Sequence, residues 1–176
     1  MSPGVLNLLR KTKNSIICST DFGCTLDPSW LFNLTNNIKS NSDFFLGGLN
    51  KINKINRFSE QQVEFFEFKD DVPSFLPSSR NICFTKRQWM SVRGYPEYTL
   101  TAEDTLFAIR LRNKYKCRFI PKSIVHWDGP KNIKEFSIKQ FDYSRGDGFL
   151  LIKKTHHFKS FIRILLPFLL FNRNLN

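Results

Sequence analysis

The sequence predicts an α/β protein built on a mostly parallel sheet that is flanked by helices. Short apolar runs typical of buried strands alternate with segments of helical periodicity, which is the pattern of this fold class. The 176 residues are 41% hydrophobic and 24% charged, as in globular chains. This length predicts one domain with a core of its own. We place that domain at residues 1–151 and expect a basic, apolar helical tail at 152–176.

The first half of the chain predicts two strands and two helices. Residues 15–20 contain the apolar run Ile16–Cys18 and predict a buried strand. Asp27-Pro28 predicts the start of a helix, with Asp27 as N-cap and Pro28 at the first helical position. A strand over 43–49 and a helix over 59–69 are expected to follow.

The second half predicts a strand over 81–85, a short helix over 86–92 and then an amphipathic helix. Thr101 is expected to cap this second helix, with Asp104 at its third position as in a capping box. Its buried face is predicted to contain Asp104, Phe107, Ala108, Leu111 and Tyr115. Two short strands over 117–121 and 123–127 and a helix over 133–143 complete the pattern, and Arg145-Gly146-Asp147-Gly148 is expected to end that helix.

The charge balance indicates the kind of partner that the protein has. A net charge of +12 attracts nucleic acid, acidic membranes or phosphorylated ligands. We expect a basic surface with a membrane or phosphate preference and no nucleic-acid partner, because the aromatic-basic motif of single-strand binders is missing. The four cysteines form no Cys-x-x-Cys pair, which predicts neither a zinc ribbon nor a redox motif and indicates a reducing compartment.

The ends of the chain bear on localisation. The first residues predict no secretory signal, and no run of about 18–20 apolar residues predicts a membrane-spanning helix. The segment Phe149–Phe171 mixes basic and bulky apolar residues, which suits a helix in a membrane interface. A helix packed on the domain, or the first turns of a membrane helix, are the alternatives. We expect a cytoplasmic protein, with peripheral contact at the inner face of the membrane as an open alternative.

Two carboxylates are the main candidates for chemistry. Asp21 follows the first buried strand, where a carboxylate suits holding a metal and phosphates, although for the residue alone a turn-forming aspartate is the better explanation. Asp104 opens a helix, where it suits proton abstraction from a hydroxyl or acts only as a cap. Gly23 allows the backbone to approach a ligand closely or simply makes a tight turn.

Other polar residues are weaker candidates. Arg80 and Asn81 are predicted to contact a sugar or an acceptor, with surface polarity as the alternative. Gln140 and Arg145 are predicted to meet pyrophosphate, since a guanidinium suits phosphate oxygens. His126 is a candidate metal ligand, although a single histidine on a short strand is more often structural.

Four segments in order resemble family 2 glycosyltransferases, which have the Rossmann-like GT-A fold. The segments cover most of residues 14–151. They are Ser19–Leu31, Pro77–Phe84, Arg93–Glu97 followed by Ala102–Arg112, and Gln140–Gly148. The chain is similar to the C-terminal two-thirds of such an enzyme, and we expect it to lack the N-terminal nucleotide-binding part.

The resemblance implies a function and a set of site residues. It implies inverting transfer of a sugar from a nucleotide-diphosphate sugar to a hydroxyl of a glycan or lipid-linked acceptor, assisted by Mn²⁺ or Mg²⁺. Asp104 is then the base, Asp21 a metal ligand and Glu103 an acceptor-side residue. A catalytically inactive remnant that acts as a membrane-associated interaction module is the alternative function.

Overall fold

The computed structural model describes residues 11–62, 75–96, 98–99 and 101–152, and within them it shows an α/β fold. Five strands form one mixed sheet in the order β1-β4-β3-β5-β2. The strands are β1 Ile16–Ser19, β2 Cys24–Leu26, β3 Phe44–Ile52, β4 Ile82–Thr85 and β5 Lys116–Trp127. The described helices are α1 Trp30–Thr35, α2 Arg57–Gln61, α3 Lys86–Ser91, α4 Glu103–Arg112 and α5 Ile133–Phe149, with a single 3₁₀ turn at Ser79–Asn81.

The strand directions differ from the mostly parallel sheet that the sequence predicts. Among the described strands only β3 and β5 run parallel, while the β1–β4, β4–β3 and β5–β2 pairs are antiparallel. Alternation of apolar runs with helices shows where strands occur but not their direction. The sheet is therefore mixed, and its resemblance to the GT-A fold stays a prediction.

Helices cover both faces of the sheet. Phe45 of β3 and Phe84 of β4 belong to a buried cluster with Phe107 and Leu111 of α4. Leu46 and Cys83 point to the other face, where α1 contributes Trp30 and Leu34. Adjacent residues alternate between the faces, so β3 and β4 each contribute to both cores. The two cores fix the strand ends that carry the candidate site.

Helix α4 has the buried face that the sequence predicts, but its start differs. Phe107, Ala108 and Leu111 are fully buried. The N-cap is Ala102, with φ 62°, and Thr101 is not the cap. The Thr101 hydroxyl instead donates to the backbone oxygen of Asp142 in α5 at 3.0 Å. The side chain predicted to cap α4 thus joins α4 to α5.

Helix α5 continues past the glycine pair that was predicted to end it. It runs from Ile133 to Phe149 and includes Gly146 and Gly148. A Cβ on Gly146 would lie 2.2 Å from the Thr101 hydroxyl oxygen, so this glycine permits close packing of α5 on the segment before α4. The prediction of a break was therefore wrong.

The remaining differences are smaller. Strand β5 is continuous where two strands were predicted, and its register against β3 shifts between Gly48 and Leu49. Helix α1 begins at Trp30, after a turn in which Asp27 accepts a bond from the Ser29 backbone at 2.9 Å. Most of the helix predicted over 59–69 and the tail over 153–176 fall outside the described residues. No described helix has the length and apolar character needed to cross a membrane.

Candidate active site

Asp21 lies just after β1 and has a partner on each carboxylate oxygen. The Ser79 hydroxyl donates to Oδ1 at 2.8 Å. The guanidinium Nε of Arg80 lies 3.6 Å from Oδ2, and the Arg80 side chain is only 18% exposed. The 3₁₀ turn before β4 thus holds Asp21, and Asp21 in turn neutralises a largely buried cation.

Asp104 is held by the same 3₁₀ turn. The Ser79 backbone N–H donates to Asp104 Oδ2 at 3.2 Å, and the Thr105 N–H donates to Oδ1 at 2.7 Å. Ser79 therefore contacts both predicted carboxylates, through its hydroxyl and its amide. Two residues far apart in the sequence meet at one short turn, and this is the central feature of the site.

The surroundings of Asp104 raise the pKa of its carboxyl. Burial raises the pKa of Asp104, the hydrogen bonds from Ser79 and Thr105 lower that pKa, and the charges of Glu103 and Asp21 raise it. The pKa of the carboxyl is above its ordinary value as a result. A carboxylate with a raised pKa accepts a proton more readily than a solvated one.

Arg80 contacts an aromatic surface on its other side. Its guanidinium carbon lies 4.1 Å from the centroid of the Trp127 ring, and Lys139 Nζ lies 4.7 Å from a ring centroid of the same residue. Arg80 and Trp127 border a cavity of about 260 Å³. The cavity is lined by Ser78, Arg80, Ala102, Asp104, Thr105, Trp127, Tyr143 and Asp147. Strand ends, the 3₁₀ turn and α5 thus enclose a polar cleft that contains the candidate base.

Asn81 has a different role from the predicted sugar contact. The residue is completely buried. Its Oδ1 accepts from Trp30 Nε1 at 2.9 Å and from the Ser123 hydroxyl at 3.3 Å. Its Nδ2 donates to the backbone oxygens of Leu49 at 3.1 Å and Ser123 at 2.9 Å. All its hydrogen-bonding capacity joins α1, β3 and β5, so we correct Asn81 to a structural residue.

Arg145 lines a cavity other than the one that contains Asp104. Arg145 pairs with Asp142 at 3.3 Å and lines a separate cavity of about 260 Å³ with Tyr98, Thr99 and Phe149. Gln140 lies on α5, the helix that contributes Tyr143 and Asp147 to the cleft. The structure therefore does not bring Arg145 to the cleft that contains Asp104.

Two further candidates lie beside the cleft. Gly23 has φ 81° in the turn between β1 and β2, and a Cβ there would meet nothing within 4 Å. Its backbone conformation requires a glycine, and the space around it is open. Glu103 is the first residue of α4, and its charge contributes to the raised pKa of Asp104.

A metal site with Asp21 and His126 as ligands does not fit the described residues. His126 follows Val125 and precedes Trp127 in β5, so its side chain points to the sheet face opposite Trp127 and the cleft. No group of three His, Cys, Asp or Glu residues suited to a metal occurs among the described residues. Oδ2 of Asp21 lies 3.6 Å from the Arg80 guanidinium Nε, so a metal bound there would lie beside a positive charge.

Sequence reasoning missed Ser79, Trp127, Lys139 and Tyr143. A signal for the α5 pair was present, because Lys139, Tyr143 and Asp147 recur every four residues and so share one helical face. Ser79 had no such signal. Its two contacts depend on how the 3₁₀ turn sits between the ends of β1 and α4, and sequence spacing does not reveal that arrangement.

No protein-family model matches this chain, and no curated protein matches it at a significant level.

Proposed function

We propose that this protein transfers a sugar from a nucleotide-diphosphate sugar to a hydroxyl acceptor, with inversion and with Asp104 as the base. The observation that carries the proposal is that Ser79 binds both Asp21 and Asp104, beside the cleft that Asp104 lines. Four motifs that resemble family 2 glycosyltransferases support it, because two of them supply these carboxylates.

The reaction follows from what Asp104 can do. An acceptor hydroxyl oxygen attacks the anomeric carbon, while Asp104 takes the hydroxyl proton. The bond between that carbon and the phosphate oxygen breaks, and its electron pair leaves with the nucleoside diphosphate. Attack from the face opposite the leaving group inverts the anomeric configuration. The raised pKa of Asp104 and the two amide donors that hold it suit this proton transfer.

A donor-cleavage assay tests the proposal without knowledge of the acceptor. UDP-glucose, UDP-N-acetylglucosamine, GDP-mannose and dTDP-rhamnose are incubated with the protein, and nucleoside diphosphate release is measured with water as the acceptor. We expect release from at least one donor, and proton NMR should show that the free sugar first appears as the inverted anomer. Asp104→Asn should lower the rate by about 100-fold or more.

A matched control separates catalysis from general charge effects. Asp43→Asn removes an exposed carboxylate that makes only a 3.5 Å ion pair with Arg87. We expect it to keep the parent rate. Equal rates for the parent and Asp104→Asn would reject the base. No release from any donor would reject the transferase and favour the inactive interaction module.

A further inference from the structure

We propose that Arg80 and Lys139, gathered around the indole of Trp127, bind the diphosphate of the donor directly and without a bridging divalent ion. The inference deepens the proposed function and rests on it only for the identity of the donor. It moves the diphosphate away from Arg145 and replaces the metal expected at Asp21.

Arg80 is placed as a ligand-binding cation. Its side chain is largely buried between the Asp21 carboxylate and the Trp127 ring. At 3.6 Å, the Nε–Oδ2 contact is an ion pair longer than a hydrogen bond between charged groups. The guanidinium lies over the Trp127 ring, which limits its movement. Such a planar group presents several N–H donors to phosphate oxygens.

Lys139 adds a second positive charge at the same ring. Its Nζ and the Arg80 guanidinium both lie within 5 Å of ring centroids of Trp127. Burial lowers the pKa of Lys139, and the nearby Arg80 charge lowers it further. Two partly buried like charges repel each other, and an anion that contacts both removes that repulsion. The arrangement therefore suits a doubly charged ligand better than a neutral one.

The charged residues along the cleft are also arranged in an order that suits the reaction. Lys139, Tyr143 and Asp147 lie along one face of α5, and eight residues of helix span about 12 Å. Asp147 lies at the end with Asp104, and both line the same cavity as Arg80. Lys139 lies at the other end, where a hollow of about 460 Å³ opens between α5 and residues 128–131. A diphosphate that contacts Arg80 and extends toward Lys139 leaves Asp104 and Asp147 to face the hydroxyl that loses a proton.

Asp21 becomes a positioning residue in this arrangement. It holds Arg80 against Trp127, and no group of three or more His, Cys, Asp or Glu residues suited to a metal occurs among the described residues. A divalent ion bound to Asp21 would lie beside the Arg80 guanidinium, and the two cations would repel each other. The diphosphate is therefore expected to meet the cation of Arg80 in place of a metal.

Calorimetry on the full chain tests the inference with three ligands: inorganic pyrophosphate, UDP and geranyl diphosphate. Each is titrated in EDTA and again with Mn²⁺. We expect pyrophosphate to bind in EDTA, and Mn²⁺ to tighten it less than threefold. Similar affinity for all three ligands would show that the site recognises the diphosphate alone, whereas tighter binding of UDP or of geranyl diphosphate would identify the nucleotide or the lipid as its source.

Substitutions distinguish the contribution of Arg80 and Lys139 to binding from that of the general positive charge of the protein. Arg80→Gln and Lys139→Gln should each weaken pyrophosphate binding by about tenfold or more, the usual scale for a charge-assisted hydrogen bond. Arg80→Lys should restore part of the affinity and reports on Arg80 if the glutamine variant fails to fold. Arg118→Gln and Lys134→Gln are matched controls, since Arg118 stacks on Phe44 at 3.9 Å and Lys134 is exposed on α5. Both controls should bind as the parent does.

Opposite results overturn the inference. Pyrophosphate binding that needs Mn²⁺ and disappears in Asp21→Asn would show that Asp21 is a metal ligand. No binding of pyrophosphate under either condition, or equal losses in the two control variants, would also reject the site. The proposed function fails separately, because it fails on donor cleavage and on Asp104→Asn. Metal-independent pyrophosphate binding without any donor cleavage would support the diphosphate site and reject the transferase function.

Discussion

Asp104 shows how one residue serves two opposing requirements. Its carboxylate accepts backbone N–H bonds from Ser79 and Thr105, which stabilise the anion. Burial in the cleft disfavours the anion more strongly, so the pKa of Asp104 is raised. A general base needs this balance, because it must be ionised to accept a proton and basic enough to keep it. The same balance makes the residue costly to the fold at neutral pH.

Replacing Asp104 should reveal that cost. A carboxyl whose pKa is raised by folding stabilises the protein below its unfolded pKa, and that stability is lost as the pH rises through the folded pKa. Asp104→Asn has no such dependence. The melting temperature of Asp104→Asn relative to the parent should therefore increase from about pH 3.5 upward and level off above the raised pKa.

The comparison with alanine completes this test. Asn keeps one acceptor for the two N–H donors, whereas Asp104→Ala leaves both without that partner and should cost about 1–2 kcal/mol relative to Asn. Both variants should lose turnover. A difference between Asn and the parent that does not change with pH would contradict the raised pKa. Near-normal turnover of Asn would leave Asp104 as a structural residue.

Asn81 is the residue on which the local architecture depends most. Asn81→Ala removes four hydrogen bonds and leaves Trp30 Nε1 and the backbone oxygens of Leu49 and Ser123 without this partner. We expect a loss of about 2–4 kcal/mol, measured by urea denaturation. Asn41→Ala changes an exposed asparagine and should stay within about 0.5 kcal/mol of the parent. A loss at Asn81 no larger than at Asn41 would show that these bonds contribute little.

At the scale of elements, the sequence predicted side-chain periodicity better than boundaries. The prediction of the buried face of α4 is confirmed, because Phe107, Ala108 and Leu111 repeat at helical spacing and are buried. The predicted end of α5 was wrong, because Gly146 allows close packing on Thr101. The local sequence does not reveal that tertiary contact. The cleft was missed in part for the same reason. Asp21 and Asp104 were identified as candidates, but Ser79, which joins them, acts only through tertiary contacts.

The two glycines of α5 give a matched pair of tests. Gly148 is exposed and has open space, so Gly148→Ala should stabilise the helix by a few tenths to about 1 kcal/mol. Gly146→Ala gains the same propensity, but its Cβ collides with the Thr101 hydroxyl and lies 2.9 Å from the Thr101 backbone oxygen. We expect a net loss of about 1 kcal/mol or more in thermal melts.

A second substitution checks the cause of that loss. Thr101→Ala removes the oxygen nearest the new Cβ, so adding it to Gly146→Ala should recover part of the stability. Equal stabilities for the Gly146 and Gly148 variants would mean that α5 moves away from α4 at little cost. The cavity shared by Asp104 and Tyr143 should then change shape, and donor cleavage would report it.

At the scale of the whole molecule, the net charge of +12 gives the protein two routes to anionic partners. One is the proposed diphosphate site of Arg80 and Lys139 at Trp127. The other is long-range attraction to an anionic membrane surface, worth about 1 kcal/mol for each basic residue near it. Attraction by charge alone is weakened by salt. Stable attachment also needs apolar burial, and the run Ile164–Phe171 is the part of the sequence that offers it.

Deleting residues 158–176 separates charge from burial. The deletion removes the apolar run but only Lys159, Arg163 and Arg173 among the basic residues, so most of the net positive charge stays. We expect the full chain to co-sediment with vesicles rich in phosphatidylserine at 150 mM and at 500 mM salt, because the apolar contribution is insensitive to screening. The deletion variant should bind weakly at 150 mM and be released at 500 mM.

Neutral vesicles should bind both proteins less. Equal co-sedimentation of both proteins at high salt would mean that the anchor lies elsewhere in the chain, and release of both would mean that charge alone accounts for the binding.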